Sequence, residues 1–283
     1  MDFGAEFTNY DVFNSVLPPD PAINKSALSR GTGLGYIYLG FPKWGSKYWI
    51  DRLYPRGMRE NDFLHEYAKN FNAIEFNASH YRLHSPKQYL TWKRNAANDH
   101  FLFCPKFPQQ ISHYSNLIDT FELTTTFLDG AYHLGENLGP IFLQLSEKFS
   151  FRMLANLLGY IATLPKHFQY FVEVRHQEWF SNPVIFGHLT EGLSKFGVGL
   201  VITDTPGRRD VLHMALTVPK LFLRFVGQGA SDSDYRRIRS WRDRIMQWKS
   251  EGLTEAFIFL HMHDEKEGIE FGMEAKRIFG LSK

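Results

Sequence analysis

The segment Tyr170-Phe171-Val172-Glu173-Val174-Arg175-His176 is a short apolar run that ends in ionisable residues. Seven similar runs are spread along the chain, and a stretch of helical character follows each run. Runs this short are typical of buried strands, and strands that alternate with helices predict a parallel sheet. Eight such units predict an α/β fold of the (β/α)8 TIM-barrel type, with its charged residues around the mouth. The runs are residues 36–40, 73–77, 101–106, 141–145, 170–174, 198–202, 221–225 and 256–261.

Length and composition fit one domain. The chain has 283 residues, 43% of them apolar, which matches the usual size of such a barrel and is enough to fill its core. We therefore predict that residues 36–283 form a single TIM-barrel domain. The net charge of +2, from 32 basic and 30 acidic residues, gives no global reason to expect nucleic acid or an anionic membrane as a partner.

Cysteine usage and the N-terminal sequence bear on location. The single cysteine, Cys104, cannot form an internal disulfide, and the N-terminus lacks the succession of basic, apolar and small residues that marks a signal peptide. No apolar run approaches the roughly 20 residues that a membrane-spanning helix needs. The sequence therefore predicts a cytoplasmic protein.

Residues 1–35 differ from the rest because prolines and glycines punctuate them. They also carry the apolar side chains Phe3, Phe7, Tyr10, Phe13 and Leu17, which favour burial against the body over a free tail. We predict an N-terminal arm, an extension of the barrel that packs on it.

Helix signals occur where this fold needs them. Ser85-Pro86 and Asn182-Pro183 each combine an N-cap residue with a proline at the first helical position. Near residue 240, an apolar stripe at helical spacing lies opposite five arginines interspersed with aspartates. We interpret those arginines as a solvated outer face rather than a nucleic-acid surface. They are Arg236, Arg237, Arg239, Arg242 and Arg244.

The second run carries the first candidate site residues. Glu75 and Asn77 share one face of the strand by two-residue alternation, and we expect that face to point into the barrel. Glu75 is then either a catalytic carboxylate or an internal structural carboxylate that an arginine from another strand neutralises. Tyr81 and Arg82 follow in the next loop.

The fifth run places a carboxylate beside a guanidinium. Glu173 and Arg175 share a face, and His176 ends the run. This pair is either structural or an acid/base group held ionised beside an anion clamp. Trp179 follows in the loop and is a candidate pocket wall.

Runs three and four contribute an amine and polar groups. Lys106 ends the third run and is suited to holding an anion, although a surface lysine is the alternative. His113 follows in a polar loop, and Gln144 offers a hydrogen bond from the fourth run.

The last three runs end in further ionisable residues. Asp204 follows the sixth run and is either a site residue or a loop cap beside Pro206-Gly207. Arg224 lies in the seventh run. His261 and His263 close the eighth and are metal-ligand candidates by type, but the absence of a matching cluster in the sequence favours a structural or hydrogen-bonding role.

Together these motifs resemble the YecE-like family, domain of unknown function 72, from about Gly40 to the C-terminus. The resemblance implies a TIM barrel but no substrate. The family motif residues map here onto Glu75, Asn77, Tyr81, Arg82, Lys106, His113, Glu173, Arg175, His176, Trp179, Asp204 and Arg224. The chain departs from the pattern at Met262-His263, where many relatives have an asparagine pair.

The functional hypothesis is an enzyme that acts on a small polar or anionic molecule, such as a sugar, phosphoester or nucleotide-derived compound. Glu173 would be the general acid/base and Glu75 a second carboxylate, with Lys106, Arg175 and Arg224 neutralising the anionic group. Hydrolysis and isomerisation both fit, and no motif requires a cofactor.

Two alternatives stay open. The first is a non-catalytic binder of nucleotides or single-stranded nucleic acid, which would use the same cations and aromatic side chains. The second is a metal-dependent hydrolase with a divalent ion. Its ligands would come from Glu75, Glu173, Asp204, His261 and His263.

Overall fold

The computed structural model describes residues 16–281, in which strands and helices alternate. The strands are β1 (Tyr36–Gly40), β2 (Ala73–Phe76), β3 (Leu102–Pro105), β4 (Ile141–Gln144), β5 (Tyr170–Glu173), β6 (Gly199–Leu200), β7 (Ile202–Asp204), β8 (Lys220–Gly227) and β9 (Glu255–Met262). The helices are α1 (Ile23–Leu28), α2 (Phe63–Asn70), α3 (Ala78–Tyr81), α4 (Pro86–Ala96), α5 (Phe121–Tyr132), α6 (Leu154–Thr163), α7 (Glu178–Ser181), α8 (Pro183–Phe196), α9 (Asp232–Glu251) and α10 (Glu265–Ile278).

All strand pairings are parallel, and they form three sheets in the described chain. The strand orders are β1-β9-β8-β7, β2-β3 and β4-β5-β6. The predicted α/β fold with a parallel sheet is thus confirmed at this level.

Each of the eight apolar runs contains strand residues, and the differences are local. The run at 198–202 is divided at Val201, so that β6 pairs with β5 while β7 pairs with β8. The last two strands extend beyond the apolar residues because they pair with each other from Lys220–Glu255 to Gly227–Met262. Asn77 and Lys106, assigned to strands from the sequence, follow the ends of β2 and β3.

Backbone contacts also connect the three sheets. Glu75 N donates to Phe41 O, just beyond β1, at 3.1 Å. Lys106, the residue after β3, forms an isolated parallel bridge with Phe142 of β4. β6 and β7 are separated only by Val201.

An apolar cluster contains side chains from every one of the eight runs. Tyr38 of β1 packs on it, and its buried members are Ala73, Cys104, Phe142, Phe171, Val201, Phe222, Phe257 and Phe259. Because side chains alternate between the two faces of a strand, the residue two positions after each member faces the same way. This aromatic layer therefore forms the floor on which a second layer of side chains stands.

The two predicted helix caps are confirmed. Ser85 accepts a hydrogen bond from Gln88 N before α4, and Asn182 accepts one from Val184 N before α8. Proline is the first helical residue in both cases.

The outer-face interpretation of the α9 arginines is wrong for Arg237. Arg237 is fully buried and pairs with Asp204 and Asp234. Its position is explained by the helix period, because it is one turn from Trp241 and precedes Ile238 on the packed side. Arg236, Arg239 and Arg242 are not buried.

The described part of the predicted N-terminal arm contacts the body in several places. Leu17 and Leu28 are buried in the main apolar core. Asn24 donates to Met214 O and accepts from Leu216 N, both at 2.8 Å. Asp20 pairs with Arg244 of α9. Phe3, Phe7, Tyr10 and Phe13 lie outside the described residues.

Within residues 16–281, no helix combines the length and the apolar composition that crossing a bilayer requires.

Candidate functional site

A layer of polar side chains lies directly above the aromatic floor, towards the carboxyl ends of the strands. Each member is two residues after a floor residue, so alternation along the strand points it to the same face. The members are Glu75, Lys106, Gln144, Glu173, Thr203, Arg224 and His261, and all of them are buried. The sequence therefore brings seven polar groups from seven of the eight runs together.

Arg224 is the centre of this polar layer. Its guanidinium donates to both oxygens of Glu75, at 2.9 Å each. It also donates to Glu173 Oε2 at 2.7 Å and to Gln144 Oε1 at 3.2 Å. Charge-assisted bonds of this kind, one of them bidentate, are the strongest hydrogen bonds in proteins. The structure therefore shows Glu75 paired with an arginine from another strand, as the structural alternative for this carboxylate expected.

Glu173 is held ionised by the charges around it. Arg175 Nε donates to Glu173 Oε1 at 3.0 Å, and Thr203 Oγ1 donates to the same oxygen at 3.1 Å. Burial alone would raise the pKa of this carboxyl, but the positive charges of Arg175 and Arg224 outweigh burial and lower the pKa to about 2. A carboxylate in this state is a weak base at neutral pH.

Glu75 has a similar environment. His261 Nε2 lies 2.8 Å from Glu75 Oε2, and Asn77 donates to Glu75 Oε1 at 2.9 Å. Because a carboxylate oxygen only accepts, His261 must carry its proton on Nε2. Burial opposes ionisation, yet Arg224 and His261 hold the pKa of Glu75 well below its usual value.

Lys106 differs from its neighbours in having no direct partner for its charge. The residue is 6% exposed, and within the described chain its Nζ makes neither an ion pair nor a hydrogen bond. Burial, followed by repulsion from Arg224, lowers the pKa of this amine to about 7, although Glu75 and Glu173 act in the opposite direction. Lys106 is therefore divided between its charged and neutral forms near neutral pH.

Two neutral imidazoles lie close to Lys106. The rings of His80 and His113 have centroids 5.1 Å apart. Burial and then the charge of Lys106 lower the pKa of each to about 4. His80 Nδ1 lies 2.8 Å from Phe107 O, so that nitrogen carries the proton and Nε2 keeps a free lone pair.

More exposed residues follow the strand ends. Tyr81 is 70% exposed and Arg82 is exposed, whereas His113 and His176 are half-buried. His176 Nδ1 accepts from Glu178 N at 3.1 Å. These side chains contribute no hydrogen bond to the polar layer within residues 16–281.

Trp179 and Asp204 lie apart from the polar layer. Trp179 is fully buried in a second apolar cluster and donates to Phe149 O at 2.7 Å, so it is a core residue and not an exposed wall. Asp204 faces away because it comes one residue after the inward-facing Thr203. It accepts from Arg237 at 2.9 Å and from Trp241 Nε1 at 2.6 Å, and it pairs with Arg209.

The five residues considered as metal ligands do not converge. Asp204 belongs to the separate cluster just described, and His263 is exposed while His261 is buried. Among residues 16–281, no three His, Cys, Asp or Glu side chains are grouped so that they could hold a metal ion.

Sequence reasoning did not assign Thr203 and His80 to the site. Thr203 could have been found by extending two-residue alternation from Val201, as for the other members of the layer. His80 offers no such signal, because it lies on the short helix α3 and reaches Lys106 only through the loop after β2.

A separate surface groove of about 980 Å³ lies between α5 and α6. Its lining includes Phe121, Leu128 and Phe168 and is mainly apolar. No residue of the polar layer lines it, so this groove is not part of the candidate site.

Comparison with known sequences gives a family match and a similar protein from Escherichia coli. The family described as protein of unknown function DUF72 matches residues 38–282. The UPF0759 protein YecE of Escherichia coli K12 is 32% identical over 246 residues, which cover 81% of this chain and 87% of that protein.

Comparison with solved structures gives proteins of similar fold. A DUF72 family protein from Thermotoga maritima has a TM-score of 0.71 at 18% identity, covering 87% of this chain and 99% of that one. A DUF72 family protein from Enterococcus faecalis has a TM-score of 0.67 at 18% identity, covering 87% and 98%. At this level of identity the likeness concerns the fold alone.

Proposed function

The chain belongs to the DUF72 family, and we propose that it is an enzyme that acts on a small polar or anionic molecule at the carboxyl ends of its strands. One observation carries this proposal. Lys106 is a buried amine whose charge has no partner among residues 16–281, in a layer where the other charged groups are paired. Burying a polar group without a partner is costly, and such groups are concentrated at functional sites.

The proposal includes closure of the three sheets into a (β/α)8 barrel. It is supported by the bonds between the sheets and by the floor, to which all eight runs contribute. Carboxyl ends of barrel strands are where TIM-barrel enzymes place their catalytic groups. The polar layer would then be the base of a single mouth.

The charge of the polar layer favours an anionic ligand. Among the buried charged groups here, Arg224 and its neighbour Arg175 pair with Glu75 and Glu173, and a protonated Lys106 adds one further positive charge. A bound carboxylate or phosphate would be attracted to this excess and would raise the pKa of Lys106. Sugars that carry phosphate, phosphoesters and nucleotide-derived compounds share this chemistry.

We assign proton transfer to Lys106 rather than to Glu173. The pKa of Lys106 is about 7, near the value that suits a general acid or base at neutral pH. Glu173, with a pKa of about 2, is suited to positioning Arg175 and Arg224. Hydrolysis and isomerisation both remain compatible with this assignment.

The test is a thermal-shift screen of phosphorylated metabolites, sugars and nucleotides, since a ligand that binds the native state raises the melting temperature. We expect Lys106→Met to weaken binding of any hit at least about tenfold, a loss of about 1.4 kcal/mol. Lys87→Met, at an exposed helical lysine, should leave binding unchanged. Equal binding by folded wild type and K106M would contradict the proposal. Binding without turnover would favour the non-catalytic binder.

A further inference from the structure

Lys106 combines two properties that an anion-holding lysine does not need. It is buried in the region where Arg175 and Arg224 pair with Glu75 and Glu173, and within the described chain its own Nζ pairs with neither carboxylate. A lysine that serves only as a positive charge is best placed where that charge is stabilised. Here the arginines already supply permanent charge, because a guanidinium stays protonated in proteins.

The surroundings of Lys106 favour its neutral form. Burial and neighbouring cations lower the pKa of an amine and so favour loss of its proton. The neutral amine that results is a nucleophile. Its pKa of about 7 lies far below that of an ordinary lysine, so the free base is present at neutral pH in a much larger share of the molecules. The neighbouring imidazoles of His80 and His113 are neutral too, so neither forms an ion pair with the amine or with an anionic substrate.

We infer that Lys106 is a covalent nucleophile, whose amine condenses with the carbonyl group of an aldehyde, ketone or 2-oxo acid to form an imine. This inference rests on the proposed function and names its substrate class, and it gives Lys106 the role of forming a covalent bond to the substrate in place of proton transfer. The geometry behind it is a buried amine just after β3, in the same layer of side chains as Glu75, Glu173 and Arg224, whose Nζ has no ion pair or hydrogen bond within residues 16–281.

The reaction balances without a further reactant. The amine nitrogen attacks the carbonyl carbon, the electron pair of the C=O bond moves to oxygen, and a proton passes from nitrogen to that oxygen. The resulting carbinolamine loses water: the remaining hydrogen on nitrogen leaves with the hydroxyl group, and a C=N bond replaces the C–O bond. A carboxylate or phosphate on the substrate would fit the positive excess of the layer.

Reductive trapping tests the inference on the full-length chain. The protein is incubated with pyruvate, glyceraldehyde 3-phosphate or uncharged glyceraldehyde, together with cyanoborohydride, which reduces an imine to a stable secondary amine. Peptide mass mapping then locates the adduct. At about pH 7 the free-amine fraction of Lys106 should exceed that of an ordinary lysine about 1000-fold. We expect it to be labelled at least about tenfold faster than exposed lysines, and faster by the anionic probes.

Variants and pH separate the possible outcomes. Lys106→Arg should remove the adduct, whereas Lys87→Arg should retain it. Labelling should increase through about pH 7 and then level off, while surface lysines respond only near their ordinary pKa of about 10.4. The site is mapped in the wild-type protein, so the result does not depend on K106R folding. Adducts on surface lysines with Lys106 unlabelled would overturn the inference.

The thermal-shift comparison distinguishes this failure from that of the proposed function. If ligand binding depends on Lys106 but no carbonyl probe is trapped, the nucleophilic role of Lys106 is contradicted and the proposed ligand site still stands. If neither Lys106-dependent binding nor trapping is observed, both the proposed function and the nucleophilic role of Lys106 are contradicted.

Discussion

Arg224 is the residue that joins the two buried carboxylates. It donates to Glu75 and Glu173 from a fully buried position. Removing one partner from such a network leaves charges that neither water nor another group compensates. The polar layer therefore depends on Arg224 more than on any one carboxylate.

We expect Arg224→Met to destabilise the fold by about 3 to 5 kcal/mol, because it leaves two buried carboxylates without their central partner. Urea unfolding measures this change. Arg242→Met, which removes an exposed pair with Asp243, should cost less than about 1 kcal/mol. A similarly small cost for R224M would show that the network is not buried as described.

The ionised state of Glu173 predicts how the stability of the fold depends on pH. Its folded-state pKa of about 2 lies below the usual value of 4.5, so its ionised form stabilises the fold above that usual value. That contribution is lost as pH falls from about 5 through about 2. The free energy of unfolding, measured as pH is lowered over this range, should decrease more steeply for the wild-type protein than for Glu173→Gln. The exposed control Glu122→Gln should keep the wild-type slope, and an unchanged slope in E173Q would contradict the assignment.

Much of the site follows from alternation, and the rest depends on contacts across the fold. Glu75, Lys106, Gln144, Glu173 and Arg224 were all predicted as site residues from their positions in short strands. Their pairing was not predictable, because it depends on which strand ends face one another. Asp204 was left open as either a site residue or a loop cap, and the structure instead turns it towards α9, because it lies one residue after the inward-facing Thr203.

At the scale of elements, buried hydrogen bonds and an ion pair connect α9 to Asp204 of β7. Arg237 and Trp241 are one helical turn apart and both donate to Asp204. Such a pair helps to orient a helix because its geometry is specific, although its net contribution to stability against an apolar replacement is small. The apolar stripe of α9, with Ile238 and Ile245 buried, supplies the larger hydrophobic contribution.

We expect Asp204→Asn to destabilise the protein by about 3 kcal/mol or more, since it leaves Arg237 buried without its full counter-charge. Ligand binding at the polar layer should persist in the folded variant, because Asp204 faces away from that layer. Thermal unfolding and ligand titration measure the two effects, with Asp243→Asn as the exposed control. Loss of binding in a D204N protein of unchanged stability would return Asp204 to the site.

At the scale of the whole molecule, the alternation of strand and helix was predictable because it is local. Run length and apolar character identify a buried strand wherever it lies. The division of the sixth run at Val201 was not predictable, since it results from β6 and β7 pairing with different neighbours. Contacts of the arm were also beyond sequence reasoning, because they join residues far apart in the chain.

Asn24 provides a test of how firmly the described part of the arm is attached. Its amide bonds Met214 O and Leu216 N, and the residue is buried. We expect Asn24→Ala to cost about 2 to 4 kcal/mol, because two buried backbone groups lose their partners. Urea unfolding of N24A against Ser26→Ala, at an exposed position of the same helix, measures this. Equal stability of the two variants would mean that these contacts do not hold the arm.

The site as a whole depends on Lys106 being a buried amine that has no counter-ion in the described part of the chain. A side-chain NMR titration of the lysines, with Lys106→Arg to assign the signal, measures this most directly. The account predicts that one lysine titrates near pH 7 and that its signal is missing in K106R. Titration of the Lys106 signal at about pH 10.4, with the ordinary lysines, would contradict it.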